Sequence, residues 1–203
     1  MSDSYISVDE GTERKIDHWQ RTINSATVDQ GRVVLAPTFV PTYVATHATA
    51  IAISTANDHI MQLMASADFR YLLRRIEVEQ VAAANATAQV EIALYRLSSA
   101  GTGGTAVSPV ELDPVNDAST AAGMTLPSSK GTEGDLLGIW TAVIQSTITN
   151  QTAPLLDIKF DGIHLQPPTV AAGTSNGLAL KCLDSDSTAT VRTRLTFEEL
   201  DWS

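Results

Sequence analysis

The sequence predicts an all-β fold: a β-sandwich of the jelly-roll kind over residues 33–203, carrying an extended N-terminal arm over residues 1–32. Three observations predict it. Apolar and polar residues alternate with period two in short runs from Val33 onward, and that period places successive side chains on opposite faces of a strand. Clusters of Gly, Pro, Asn, Asp and Ser separate the runs, so that roughly eight to ten strands follow at close intervals, the spacing of a sandwich. The first 32 residues show neither feature.

The arm is polar and mixed in charge, with Tyr5, Ile6, Val8, Ile16, Trp19 and Ile23 as dispersed apolar anchors. Ile16, Trp19 and Ile23 stand at helical spacing and admit a short helix over Arg14–Ile23. The reading favoured is an extended segment that orders only against a neighbour, because tails stay mobile unless something ties them down. Tyr5, Ile6, Val8, Ile16 and Trp19 are therefore the candidate interface residues.

Strand patterns begin at Val33, where Pro37 and Pro41 confine the first to an edge or a crossing between sheets. Thr46–Ile53 alternates weakly, and His59–Met64 forms another short strand beyond a turn. The stretch Phe69–Leu97 is the most regular. Ile76 and Val78 alternate with Glu77 and Glu79, then Val90, Ile92 and Leu94 with Glu91, Ala93 and Tyr95. It reads as an antiparallel strand pair, Phe69–Val81 and Ala88–Leu97, across a polar turn. The apolar parity of its first arm switches at Arg74–Arg75, which predicts a bulge there. Ser98–Asp135 is rich in Gly, Ser, Pro and Asp and reads as a long loop with a small strand at Val107–Leu112 and a helical turn at Ala118–Gly123. A loop of such length needs contacts to order it, and neighbouring copies are the expected source. Leu136–Ile148 reads as a strand covered on both sides for part of its length. Leu155–Phe160, Ile163–Gln166, Gly177–Leu183 and Thr188–Phe197 complete the set, with Val191, Leu195, Phe197, Ile158 and Phe160 as expected core.

Composition limits the function classes. With 43% hydrophobic and 18% charged residues in 203, the chain can bury a proper core. Its net charge of −10, from 23 acidic against 13 basic residues, argues against nucleic acid as a partner, since no Lys/Arg cluster is present to displace counterions. No apolar run reaches the roughly 18 residues of a membrane helix, and the N-terminal residues lack the apolar stretch of a signal peptide. The reading is of no membrane partner and synthesis in a cytoplasm. Cys182 is the only cysteine, and its strand context predicts a buried, inert thiol.

The search for chemistry finds no reacting constellation. His18, His47, His59 and His164 have no metal-ligand spacing and read as surface or core histidines. Gly101–Thr105 lacks the lysine and following helix of a phosphate loop and reads as a flexible turn. Asp184 and Asp186 present alternate oxygens, but the further acids of a calcium loop are missing, so a hairpin turn is the expectation. Ser128, Ser129 and Ser175 occupy no nucleophile elbow. Glu133 with Asp135, and Glu198 and Glu199 with Asp201, are carboxylate neighbours of the kind any acidic surface carries. The expectation is of no catalytic, cofactor or metal site.

Five strings in order carry a resemblance: YISVDEGTERK at 5–15, ALYRLSSAGTGGT at 93–105, ELDPVNDAS at 111–119, LPSSKGTEGD at 126–135 and AAGTSNGLALK at 171–181. Together they resemble small structural proteins of tailed bacteriophages and prophages, of the β-sandwich type that decorates virions. The resemblance implies a non-enzymatic capsid decoration, or cement, protein. It implies attachment to the major capsid protein or other virion proteins, a homo-oligomer (a trimer foremost), and a place in the virion after synthesis in the host bacterium. It brings no catalytic residues. Three alternatives stay open: a glycan- or receptor-binding adsorption module of a head fibre, neck or tail tip; a ring-forming tail or connector component; and a sugar-active enzyme with a hidden carboxylate pair.

Overall fold

The structure, a computed structural model, describes residues 4–7, 15–23, 26–33, 40–148, 153–162 and 165–201. The chain divides into two compact units, Met1–Phe39 and Val40–Ser203. In the first, β1 (Ser4–Ser7), β2 (Lys15–Ile23) and β3 (Ala26–Val33) form an antiparallel sheet in the order β1-β2-β3. Residues 15–23 are thus a strand and not the helix that the spacing of Ile16, Trp19 and Ile23 admitted. Tyr5 and Ile6 lie on β1, and Ile16 and Trp19 on β2. Val8 and the packing of all five candidate side chains lie outside the described residues.

The second unit is all-β among the described residues. Its strands are β4 (Thr42–Thr46), β5 (Ile51–Ala52), β6 (Asp58–Met64), β7 (Phe69–Ala82), β8 (Ala88–Leu97), β9 (Thr105–Val107), β10 (Val110–Glu111), β11 (Ala122–Thr125), β12 (Glu133–Ile144), β13 (Ala153–Lys159), β14 (Thr169–Val170), β15 (Gly177–Cys182) and β16 (Thr190–Asp201). One sheet runs β10-β4-β16-β7-β13, with β14 beside β7 and β5 beside β16; the other runs β12-β8-β15-β6-β11-β9. Every strand pairing within these two sheets is antiparallel, and the two sheets enclose one main apolar core. The β-sandwich predicted from alternation is the fold.

The bulge stands where the parity switch put it. Thr196 lies opposite Arg75 and Phe197 opposite Leu73, which leaves Arg74 as the extra residue of β7. That insertion keeps Tyr71 and Leu73 on the same buried face as Ile76, Val78 and Gln80. The bulged carbonyl is not orphaned, since Phe160 donates its N–H to Arg74 O at 2.8 Å. At the centre Phe197 lies between Tyr43 and Tyr71, with ring centroids 5.7 and 5.4 Å away. The Tyr71 hydroxyl donates to Leu63 O at 2.6 Å and so ties β7 to β6 in the facing sheet.

Several expectations need correction. The strands β7 and β8 are not neighbours: β7 pairs with β16, β13 and β14, while β8 pairs with β12 and β15. Residues 83–87 form an arch between sheets, with Ala84 buried and its N–H on Gln145 O. Alternation reports that one face is buried; it does not report which strand lies alongside. Ile76, Val78, Val90, Ile92 and Leu94 are all buried as expected, but they meet face to face across the core. Ile158 is half-buried against the core, whereas Val191, Leu195, Phe197 and Phe160 are within it.

The long segment 98–135 is ordered by its own chain. It contributes β9, β10 and β11, where a single strand at 107–112 was expected, and the helical turn expected at 118–123 is not formed, residues 122 and 123 belonging to β11. Glu199 is buried and accepts from Ser119 Oγ, Thr120 N and Ala121 N at 2.5, 3.3 and 3.1 Å, and Tyr43 donates to Asp117 O at 2.9 Å. Strand β12, expected to be covered on both sides for part of its length, is open on its outer face, where Ile139, Thr141 and Val143 are exposed. Coverage on both faces belongs instead to β6, where residues 59–64 are all buried.

Candidate functional site

Two features stand out from the sandwich. The first is a polar chain on the outer face of the β12-β8-β15-β6-β11-β9 sheet. Leu178 and Leu180 point into the core, so Ala179 and Lys181 of β15 face outward, as do their register partners Gln62 and His59 of β6. His59 is fully buried there. Its Nε2 lies 2.8 Å from Glu133 Oε1 and its Nδ1 2.6 Å from Gln62 Nε2. Gly101 donates its N–H to Gln62 Oε1 at 2.9 Å. Lys181 Nζ reaches both Glu133 oxygens at 3.0 Å and stands 5.0 Å from the Tyr95 ring centroid.

Electrostatics follow from that geometry. Burial lowers the His59 pKa, and the Glu133 carboxylate offsets this only in part. Burial pushes the Glu133 carboxyl up, but the bonds from His59 and Lys181 overcome it and hold the group below its usual range. Both His59 nitrogens and both Glu133 oxygens have partners within the chain. The arrangement ties these polar groups to one another across β6, β12 and β15.

Above this face, residues 98–104 and 126–132 lie together as a two-arm flap. Thr102 and Ser129 exchange backbone bonds at 2.8 and 3.1 Å, and Ser98 donates to Thr132 O at 3.0 Å. Gly101 was expected in a flexible turn, yet it is buried and pinned. A Cβ at this position would stand 2.7 Å from Ser129 O and 2.9 Å from Gln62 Nε2, so only glycine permits the approach.

The second feature is the outer edge of the same sheet. Strand β12 pairs with β8 on one side, and its outward residues carry apolar side chains in solvent. Leu136, Ile139 and Val143 are 47%, 46% and 49% exposed, and Leu137 is exposed beside them. Charged side chains near the stripe, Glu91 and Asp135, are acidic and exposed. On the opposite sheet a further apolar group, Val110, Leu112 and Val115, is exposed on and just after the edge strand β10.

The remaining sequence candidates are placed in the scaffold. His47 donates from Nδ1 to Thr49 O at 2.7 Å and accepts from Thr193 N–H at 3.0 Å. A cleft of about 490 Å³ beside it is lined by Thr46, Thr49, Thr105, Ser108, Thr125 and aliphatic groups, with no charged side chain. His18 and His164 have side chains outside the described residues. Ser128 closes on the flap by donating to Thr102 O. Glu198 and Glu199 project to opposite faces of β16: Glu198 pairs with Arg74, and Glu199 turns inward. Cys182 is buried, and burial pushes its thiol up to about 11. Among the described residues no three His, Cys, Asp or Glu side chains gather as metal ligands.

Asp184 and Asp186 serve the turn. Asp184 accepts from Glu91 N at 2.6 Å, and Asp186 from the backbone N–H groups of Asn85, Thr188 and Ala189. Burial raises the Asp186 carboxyl, but those donors outweigh it and keep its pKa below the ordinary value. Its contribution to stability is therefore present above the unfolded carboxylate range and lost as pH falls through the lowered folded value. Asp186→Ala is expected to lower Tm by roughly 2–4 °C, the shift that about 1 kcal/mol produces in a chain of this size. The variant's Tm should also vary less with pH in acid, as measured by thermal scans at several pH values.

The polar chain was missed in the sequence because its members are far apart: Gly101, Glu133 and Lys181 converge on β6 only through the sheet order. One signal was present. His59 and Gln62 interrupt the apolar string HIMQLM, and polar residues in a strand buried on both sides mark a face that is covered but hydrogen-bonded. No protein-family model matches this chain, and comparison with curated proteins finds no significant match.

Proposed function

We propose that this protein is a non-enzymatic structural subunit of a phage virion, a decoration or cement protein that binds the capsid surface as an oligomer. The observation that carries the reading is the β12 edge. From Gly138 to Ile144 this edge strand runs without a bulge, a charge or a proline, and with Ile139 and Val143 in solvent it is a template for pairing with another chain, since natural monomers blunt such edges with those devices. Assembly is the role that gives this edge a use.

The second exposed group, Val110, Leu112 and Val115, supports a ring of copies. A closed ring with head-to-tail contacts needs two different complementary patches on each subunit, and β12 and the β10 region supply two. Attachment to the shell rests on charge. At −10 free copies repel one another, and a basic shell surface would draw them in with a salt-dependent rate. The N-terminal unit, with Tyr5, Ile6, Val8, Ile16 and Trp19, is proposed to reach a neighbouring subunit or the capsid lattice, because its apolar residues are too few to form a core of their own.

Imaging of the intact particle tests the reading. Decoration predicts density for this chain over the shell at symmetric positions, on the order of hundreds of copies. Density confined to a neck, fibre or tail tip would overturn it in favour of an adsorption or connector role.

A further inference from the structure

The hydrogen bonds around His59 form a chain in which each donor dictates the next. Gly101 N–H can only donate, so the Gln62 oxygen must face it. That places the Gln62 NH₂ against His59 Nδ1, and an amide nitrogen likewise can only donate. Nδ1 must therefore accept, which leaves the ring proton on Nε2, where it is donated to Glu133. The backbone of the flap thus selects a neutral His59 of one tautomer.

Adding a proton to Nδ1 sets two donors against each other across 2.6 Å. Turning the Gln62 amide relieves that conflict and transfers it to Gly101, whose N–H would then face an NH₂. Gly101 is buried and closely surrounded: even a Cβ there would stand 2.8 Å from Pro127 Cβ and 2.7 Å from Ser129 O. We propose that His59 is a protonation-controlled latch for the flap formed by residues 98–104 and 126–132: neutral His59 holds the flap through Gln62, and protonated His59 releases it.

The charged groups facing the ring set where release occurs. Glu133 of β12 favours the proton; Lys181 of β15 and Lys130 of the flap oppose it, as does burial. Lys130 is itself held by Asp58 at 3.2 Å and by Asn57 O at 2.7 Å. Opposition prevails, so the flap stays shut at neutral pH and opens only in acid. Linkage has the same sign: a histidine with a lowered folded pKa contributes stability above about pH 6.5 that is lost as pH falls toward the folded value.

The test is amide exchange by NMR on the full chain across a pH series, with the His59 ring followed in the same samples and protection corrected for intrinsic exchange. Protection at Gly101 is expected to fall about tenfold, the scale of one hydrogen bond, as His59 gains its proton, while Ile76 and Leu195 in the core hold theirs. Gln62→Glu is the informative variant, since a carboxylate accepts from both Gly101 N–H and a protonated Nδ1. In Q62E the His59 midpoint should rise and Gly101 should stay protected through it. The latch is overturned if Gly101 stays protected beside a protonated His59 in the wild type. It is also overturned if His59 stays neutral until the whole chain unfolds, or if Q62E frees Gly101 at the wild-type midpoint. The wild-type titration decides alone should Q62E fail to fold.

Discussion

Replacing Phe197 by alanine is expected to destabilise the protein by about 3–5 kcal/mol, the range for a fully buried aromatic. Phe197 has no solvent exposure and fills the space between Tyr43 and Tyr71. It also sits beside the Arg74 bulge, opposite Leu73, where the strand already bends and the backbone has little freedom to collapse into a void. The Tyr71 hydroxyl that joins the sheets through Leu63 O would lose the ring that positions it. Urea unfolding of the two proteins measures the difference. A loss below about 1 kcal/mol would mean that the site repacks, and that Phe197 is not the centre of the core.

The second large effect concerns assembly. Ile139→Lys combined with Val143→Lys is expected to leave the fold intact and abolish oligomers and particle attachment. Both side chains are about half exposed and on the outer face of β12, so each change should move stability by no more than about 0.5 kcal/mol. Lysine on an edge strand is a device by which natural sheets prevent edge pairing. Sedimentation of the variant and its occupancy on purified particles provide the measurement. Wild-type occupancy with the double variant would remove β12 from the interface.

These expectations also show what kind of information the sequence carries. The burial of Ile76, Val78, Val90, Ile92 and Leu94 and the bulge at Arg74 were legible, because parity along one strand is a local property. The partners of those strands were not. A strand amphipathic on one face is satisfied equally by a hairpin neighbour or by a place in the opposite sheet, and the arch at 83–87 selects the second. The outward apolar residues Ile139 and Val143 were read as covered for a related reason: an apolar side chain looks the same in sequence whether its partner is in the same chain or in another. Within the long segment 98–135, Glu199 holds residues 119–121 and Gln62 holds Gly101, contacts that loop composition alone assigned to neighbouring copies. Charge placement was legible only as a total, since the pairing of Lys181 with Glu133 depends on β15 and β12 both lying beside β8.

The most direct test of the structural-subunit account compares phage particles made with and without this protein under heating. A component that binds only the assembled shell shifts its equilibrium against disruption by mass action, so particles carrying the protein are expected to retain their contents to a higher temperature than particles lacking it. Re-addition of the purified protein should restore the difference, less so as salt is raised. Equal resistance of the two kinds of particle, with the protein present on the shell, would contradict the account.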